Sequence, residues 1–177
     1  STPANQTCEN IGPTPLHGAE VIDSPGALGS NGAIALAREL VARDPQFVMA
    51  DQYANPANPR VHEETTGAEM LDGVPEVDVF VGGLGTGGTL TGVGRFLRRA
   101  KPGVRIVAAE PLPGEAVQGL RSLDDGFVPE IFDPTLLDDR YVVANREAVE
   151  TSRELLEREG VLAGPSSRAI LWVGARV

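Results

Sequence analysis

Cys8 is the only cysteine in 177 residues. A disulfide framework within the chain is therefore impossible, and a cysteine metal cluster is excluded with it. Basic residues are also scarce. Lys and Arg number 15 against 25 Asp and Glu, which leaves a formal net charge of -10. Surfaces that bind nucleic acid or an anionic membrane need a basic patch, so neither partner is expected. No apolar run is long enough to span a bilayer. No charged start leads into an apolar stretch of the signal-peptide kind. The default expectation is a cytoplasmic protein. An initiator methionine is missing too. The chain opens on Ser1-Thr2-Pro3 and stops at Ala175-Arg176-Val177 inside a helical pattern, so both ends read as cut.

What is present looks globular. Hydrophobic residues make up 41%, ordinary for a chain with a core and too rich for disorder. Gly 21 and Pro 14 sit between apolar runs, as loop residues do in α/β proteins. Gly18 to Ile22 reads as a short strand and Ala33 to Ala42 as an amphipathic helix. Phe47 to Ala50 reads as a short buried strand. Asn55-Pro56-Ala57-Asn58-Pro59 reads as loop on account of its two prolines. Thr65 or Thr66 is placed to cap a helix through Glu69, Met70 and Leu71. Strands are expected over Val77 to Val81, Val104 to Ala109 and Tyr141 to Val143. Helices are expected over Leu90 to Ala100 and Arg146 to Glu159, the latter capped by Asn145 and ended by Gly160. A further helix starts after Gly164-Pro165. Strands alternating with helices imply an α/β fold with a mainly parallel, covered sheet.

The stretch VDVFVGGLGTGGT, Val77 to Thr89, carries the chemistry. Gly83, Gly85 and Gly88 fit G-x-G-x-x-G between a strand and a helix. Glycines let backbone approach an anion closely. The first N–H groups of a helix are unpaired, and its dipole favours negative charge there. Thr86 and Thr89 add hydroxyls. A phosphate is the natural guest. Glu110 follows the next strand about 20 residues after the loop, where a dinucleotide-binding domain would place its ribose ligand. A tight turn with no ligand is the plainer alternative.

Three further stretches change the reading. Gln52-Tyr53-Ala54-Asn55-Pro56-Ala57-Asn58-Pro59, followed by His62 and Thr65-Thr66-Gly67, resembles the Q-[FY]-x-N-P-A-N-P…H…T-T-G segment of the pyridoxal-phosphate enzymes of the cysteine synthase type. Gly85-Thr86-Gly87-Gly88-Thr89 resembles their phosphate loop. Val107 to Pro111 resembles the strand end that follows, and Glu159 to Ser167 resembles their E-G-[IL]-x-x-G-x-S-S turn. The resemblance runs from roughly Gly18 to Val177. It implies the fold of that family (fold type II, related to tryptophan synthase β), a homodimer and pyridoxal 5′-phosphate as cofactor. Residues 1–45 would belong to a smaller mobile α/β domain and 46–177 to the larger, cofactor-binding one. Gly85, Thr86, Gly87, Gly88 and Thr89 would hold the cofactor phosphate, with Gly164 and Ser166 on the cofactor side of the cleft. Gln52 would bind the carboxylate of an amino-acid substrate. Glu110 would be a strand-end residue rather than a ribose ligand.

Ala116 to Asp133, AVQGLRSLDDGFVPEIFD, resembles the O-phosphoserine sulfhydrylases of actinobacterial type, whose matching arginine contacts the substrate phosphate. Arg121 would take that role, and a planar guanidinium suits a dianionic phosphate. A surface ion pair with Asp124 or Asp125 is the alternative. The implied reaction is β-replacement on O-phosphoserine or O-acetylserine, with the cofactor as electron sink. The sulfur would come from a thiocarboxylated carrier protein or from free sulfide. A cystathionine β-synthase-type enzyme, an inactive cofactor-binding fragment and a dinucleotide-binding domain are the other readings.

Lys101 is the only lysine, in a polar turn after the loop helix, where a solvated role is expected. The family's cofactor-bearing lysine belongs to an N-terminal segment that this sequence does not show. No catalytic residue and no metal ligand is therefore assigned. Cys8 to His17 also departs from the pattern. Gly12, Pro13 and Pro15 break the arginine- and leucine-rich helix expected there, and Ile11 to Leu16 resembles a different part of the family. At Arg168 the family prefers glycine.

Overall fold

The structure is a computed structural model that describes residues 2, 3, 18–115 and 117–177. Cys8, the Ile11 to Leu16 segment, His17 and Ala116 lie outside the described residues. The chain divides into two compact units, Ser1–Ala50 and Asp51–Val177.

In the first unit β1 (Thr2–Pro3) pairs in parallel with β2 (Asp23–Ser24), and α1 (Gly29–Arg43) packs against both. The strand expected over Gly18 to Ile22 is displaced to the two residues that follow. The helix exceeds its apolar pattern by four residues at its start, at Gly29. Arg43 pairs with Glu39 one turn back, and its charge complements the helix C-terminus. Phe47 to Ala50 is irregular rather than a buried strand. Val48 is 91% exposed, and among the described residues no strand pairs with this stretch. An apolar run of four cannot hold an extended ladder without a neighbour.

The second unit opens with one helical run, from α2 (Ala57–Val61) through a π-helical turn (His62–Thr66) into α3 (Gly67–Gly73). The expected loop over Asn55 to Pro59 therefore gives way to helix at Ala57. Pro59 is tolerated because it sits in the first turn, where an N–H has no carbonyl to bond. Thr65 does not cap the helix. Its Oγ1 lies 2.7 Å from the Val61 carbonyl and donates back within the run.

β3 (Val79–Gly83), β4 (Arg105–Pro111) and β5 (Asp139–Val143) form a parallel sheet in that order. Phe80 faces Ile106, and Ala108 faces Arg140. α4 (Gly88–Ala100) links β3 to β4, while α5 (Asn145–Glu159) and α6 (Pro165–Gly174) follow β5. Alternation along the strands builds two cores. Phe80, Ile106 and Ala108 pack with Leu90, Val93 and Leu97 of α4. Val107, Ala109 and Val143 pack with Ala148 of α5 and with Ala169 and Val173 of α6. Both faces of β4 are thus buried, as a helix-covered parallel strand requires. Asn145 is the first helical residue of α5 rather than its cap. The Glu147 carboxylate instead reaches back 3.0 Å to the Ala144 N–H, and Gly160 ends the helix in a left-handed conformation.

Candidate functional site

A cleft of about 550 Å³ lies where β3 meets α4, in the second unit. Gly85, Thr86, Gly87 and Thr89 line one part of it. Gly119, Ser166 and Ser167 line another, and Phe80, Leu120 and Ile170 add apolar wall. Gly88, Gly164, Gln52 and Arg121 are not among its lining residues. Gly88 is buried behind the loop as the first residue of α4, and Gly164 is the exposed cap residue of α6. So the structure brings together five of the nine residues read from the sequence.

The loop is shaped by close packing from behind. Gly87 has φ 81°, the left-handed region, and caps α4. A Cβ on Gly87 would lie 2.6 Å from Phe132 Cβ. A Cβ on Gly88 would lie 2.0 Å from Asn58 Oδ1, and one on Gly85 would lie 2.9 Å from the Gly119 carbonyl. The glycines let the backbone sit against Phe132, Asn58 and Gly119. The N–H groups at the start of α4 have no acceptors one turn earlier in the helix.

The hydroxyls are held in place. Thr86 Oγ1 accepts from Gly88 N–H and from Asn58 Nδ2, both at 3.2 Å. Thr89 Oγ1 lies 3.2 Å from His62 Nε2, and His62 Nδ1 lies 3.0 Å from Thr66 Oγ1. The π-helical turn carries both His62 and Thr66, so the turn and the loop share this chain of contacts. Asn58 and His62 were quoted from the sequence only as parts of a motif. Their spacing after Gln52 was the available signal, and helix α2 turns it into contact with the loop.

The donor set fits a phosphomonoester. Hydroxyls of Thr86, Thr89 and Ser166 and a helix N-terminus converge on the cleft, and no lining residue carries a carboxylate that would repel an anion. Glu110 does not serve a ribose. It is 0% exposed, with Oε1 3.0 Å from Arg140 Nε and Oε2 accepting from Leu123 N–H at 2.9 Å. Lys101 donates to the Pro75 carbonyl at 2.7 Å and does not line the cleft. Arg168 folds back to donate to the Ala163 carbonyl at 2.8 Å.

Arg121 lies beside the loop root. Its N–H donates to the Leu84 carbonyl at 2.7 Å. Its guanidinium carbon is 5.2 Å from the ring centre of Tyr53 and 4.4 Å from that of Phe127. Those rings meet edge to face at 5.7 Å. Asp124, the partner considered from the sequence, lies 3.5 Å from Arg140. Gln52 is exposed, and its carbonyl accepts from Asn58 Nδ2 at 2.8 Å. Among the described residues no helix is long and apolar enough to cross a membrane, and no cluster of His, Cys, Asp or Glu is arranged to hold a metal.

Comparison with known proteins agrees with this geometry. The profile of the pyridoxal-phosphate dependent enzymes matches residues 1–176. Cysteine synthase A of Salmonella typhi is 42% identical over 169 residues, covering 86% of this chain and 52% of that protein. Cysteine synthase A of Escherichia coli (strain K12) is 41% identical over the same length. Among solved structures, an O-ureido-L-serine synthase superposes with a TM-score of 0.88 at 37% identity, over 97% of this chain and 57% of that one. The O-acetyl serine sulfhydrylase isoform 3 of Entamoeba histolytica gives 0.84 at 31% identity, over 98% and 54%. The chain spans about half the length of the relatives it matches. The fold is therefore the helix-covered parallel sheet of these enzymes, and a dinucleotide-binding domain is set aside.

Proposed function

Because the chain belongs to the pyridoxal-phosphate-dependent enzyme family, we propose that it serves a cysteine synthase reaction, β-replacement on O-phosphoserine with a sulfur donor. In this reading the second unit is the larger domain and holds the cofactor, and the active assembly is a homodimer. When bound, pyridoxal phosphate supplies the electron sink that lets a β-substituent leave. Backbone N–H groups from Gly85 to Thr89 and the hydroxyls of Thr86 and Thr89 bind its phosphate, with His62 holding Thr89 in place. Ser166 faces the same cleft, and Gly164 starts the helix that carries it. Gln52 receives the carboxylate of the amino-acid substrate.

The phosphoserine assignment rests on Arg121. Cation–π contacts with Tyr53 and Phe127 hold the guanidinium beside the loop root and next to the Gln52 segment. Aromatic rings hold a cation by its charge, and a guanidinium held there has the fork geometry that suits phosphate oxygens. O-Acetylserine has no dianion to reward this.

Full-length enzyme and Arg121→Ala are compared on both substrates. Loss of one charge-assisted phosphate contact predicts a fall of about tenfold to a hundredfold in kcat/KM for phosphoserine and little change for acetylserine. Equal losses on the two substrates would remove phosphoserine from the proposal. Running each assay with free sulfide and with a thiocarboxylated carrier protein identifies the sulfur donor.

A further inference from the structure

We propose that Asn58 is a positioning residue that makes the Thr86 hydroxyl an obligate donor to the cofactor phosphate. The inference rests on the reading of the Gly85 to Thr89 loop as the phosphate site, and it adds a residue outside that loop.

The argument is a count of lone pairs and protons. Asn58 Nδ2 lies 2.8 Å from the Gln52 carbonyl and 3.2 Å from Thr86 Oγ1. A carbonyl can only accept, so the nitrogen of the carboxamide must be the atom that faces Gln52. Its two protons then serve the two contacts. The carboxamide oxygen lies over Gly88, where the absence of a Cβ leaves room for it. Thr86 Oγ1 also accepts from the Gly88 N–H at 3.2 Å. A hydroxyl has two lone pairs and one proton. With both lone pairs engaged, Thr86 can only donate. Its proton then has the same polarity as the N–H groups at the start of α4, and an anion is the matching guest.

The same carboxamide joins two parts of the site. One proton steadies the backbone of Gln52, and the other steadies the loop hydroxyl. A change at Asn58 is therefore felt by both segments, although Asn58 itself does not line the cleft.

The test measures equilibrium binding to the full-length protein, with pyridoxal 5′-phosphate and with pyridoxal, which lacks the phosphate. The ratio of the two dissociation constants isolates the phosphate contribution. Losing one charge-assisted hydrogen bond should shrink that ratio about tenfold in Thr86→Val and in Asn58→Ala. Asn58→Asp keeps the side-chain shape and puts an acceptor where the donor was. It should shrink the ratio at least as much, and circular dichroism at the assay temperature should show the parent fold. Thr86→Ser should keep the parent ratio. Since both residues act through one hydroxyl, Asn58→Ala combined with Thr86→Val should fall no further than Thr86→Val alone. A parent-like ratio in Asn58→Asp, or additive losses of about a hundredfold in the double variant, would overturn the role of Asn58. A parent protein that binds both compounds equally would overturn the phosphate site itself, and the proposal with it.

Discussion

Replacing Gly87 by alanine tests the packing that shapes the phosphate loop. Gly87 has φ 81°, and a Cβ there would lie 2.6 Å from Phe132 Cβ and 2.7 Å from Cδ2 of the same ring. Two costs should add. Left-handed backbone costs an alanine about 1–2 kcal/mol. Forcing an extra carbon into the packed core costs about 1–3 kcal/mol more, because Phe132 is buried and its Cβ is anchored to the main chain. Gly87→Ala should therefore destabilise by about 2–5 kcal/mol. Gly160→Ala supplies the control. Gly160 has φ 67°, and nothing lies within 4 Å of its added Cβ. That variant should lose only the backbone term, about 1–2 kcal/mol. Urea unfolding followed by circular dichroism gives both values from midpoint and slope. If the two variants fall within about 0.5 kcal/mol of each other, contact with Phe132 does not shape the loop and the reasoning fails. A matching loss of phosphate affinity in Gly87→Ala alone would tie the same contact to binding.

Glu110→Gln removes a carboxylate that is wholly buried, ion-paired with Arg140 and hydrogen-bonded by the Leu123 N–H. Arg140 is 37% exposed and can re-solvate, so the loss should be about 2–3 kcal/mol, measured by urea unfolding. A neutral result would show that the buried charge contributes no net stability. Asp138 accepts from Arg98 and from the Ile106 N–H, and these bonds hold its carboxyl below the ordinary carboxylate range. Asp133 is lowered in the same direction, first by its bond from the Thr135 hydroxyl, then by the Thr135 N–H and by Arg95. A lowered folded pKa means stability that is complete above the unfolded carboxylate value, about 3.9, and is lost as pH falls through the lower folded values. Asp138→Asn should flatten that acid limb in pH-dependent thermal unfolding. An unchanged slope would refute the assignment.

Local pattern carried much of this protein. The three strands of the sheet and the helices after them were legible because alternation and helical spacing are properties of a short window. The G-T-G-G-T string already required a turn that brings backbone close to an anion, and its order with the Q-Y-A-N-P-A-N-P segment and the G-P-S-S turn pointed to one cofactor. Those features depend on bond geometry and on residues adjacent in the chain. Pro56 and Pro59 misled, since proline breaks a helix interior yet fits its first turn. Phe47 to Ala50 misled in the other direction, because burial needs a partner that four apolar residues do not specify. Only the tertiary structure decided which residues surround the loop. It turned Glu110 inward to Arg140, set Arg121 on Tyr53 and Phe127, and carried Asn58 and His62 to Thr86 and Thr89. Those pairings join residues 27 or 28 positions apart at the loop. Their partners are fixed by how helix packs on sheet, and no window of the sequence contains both ends.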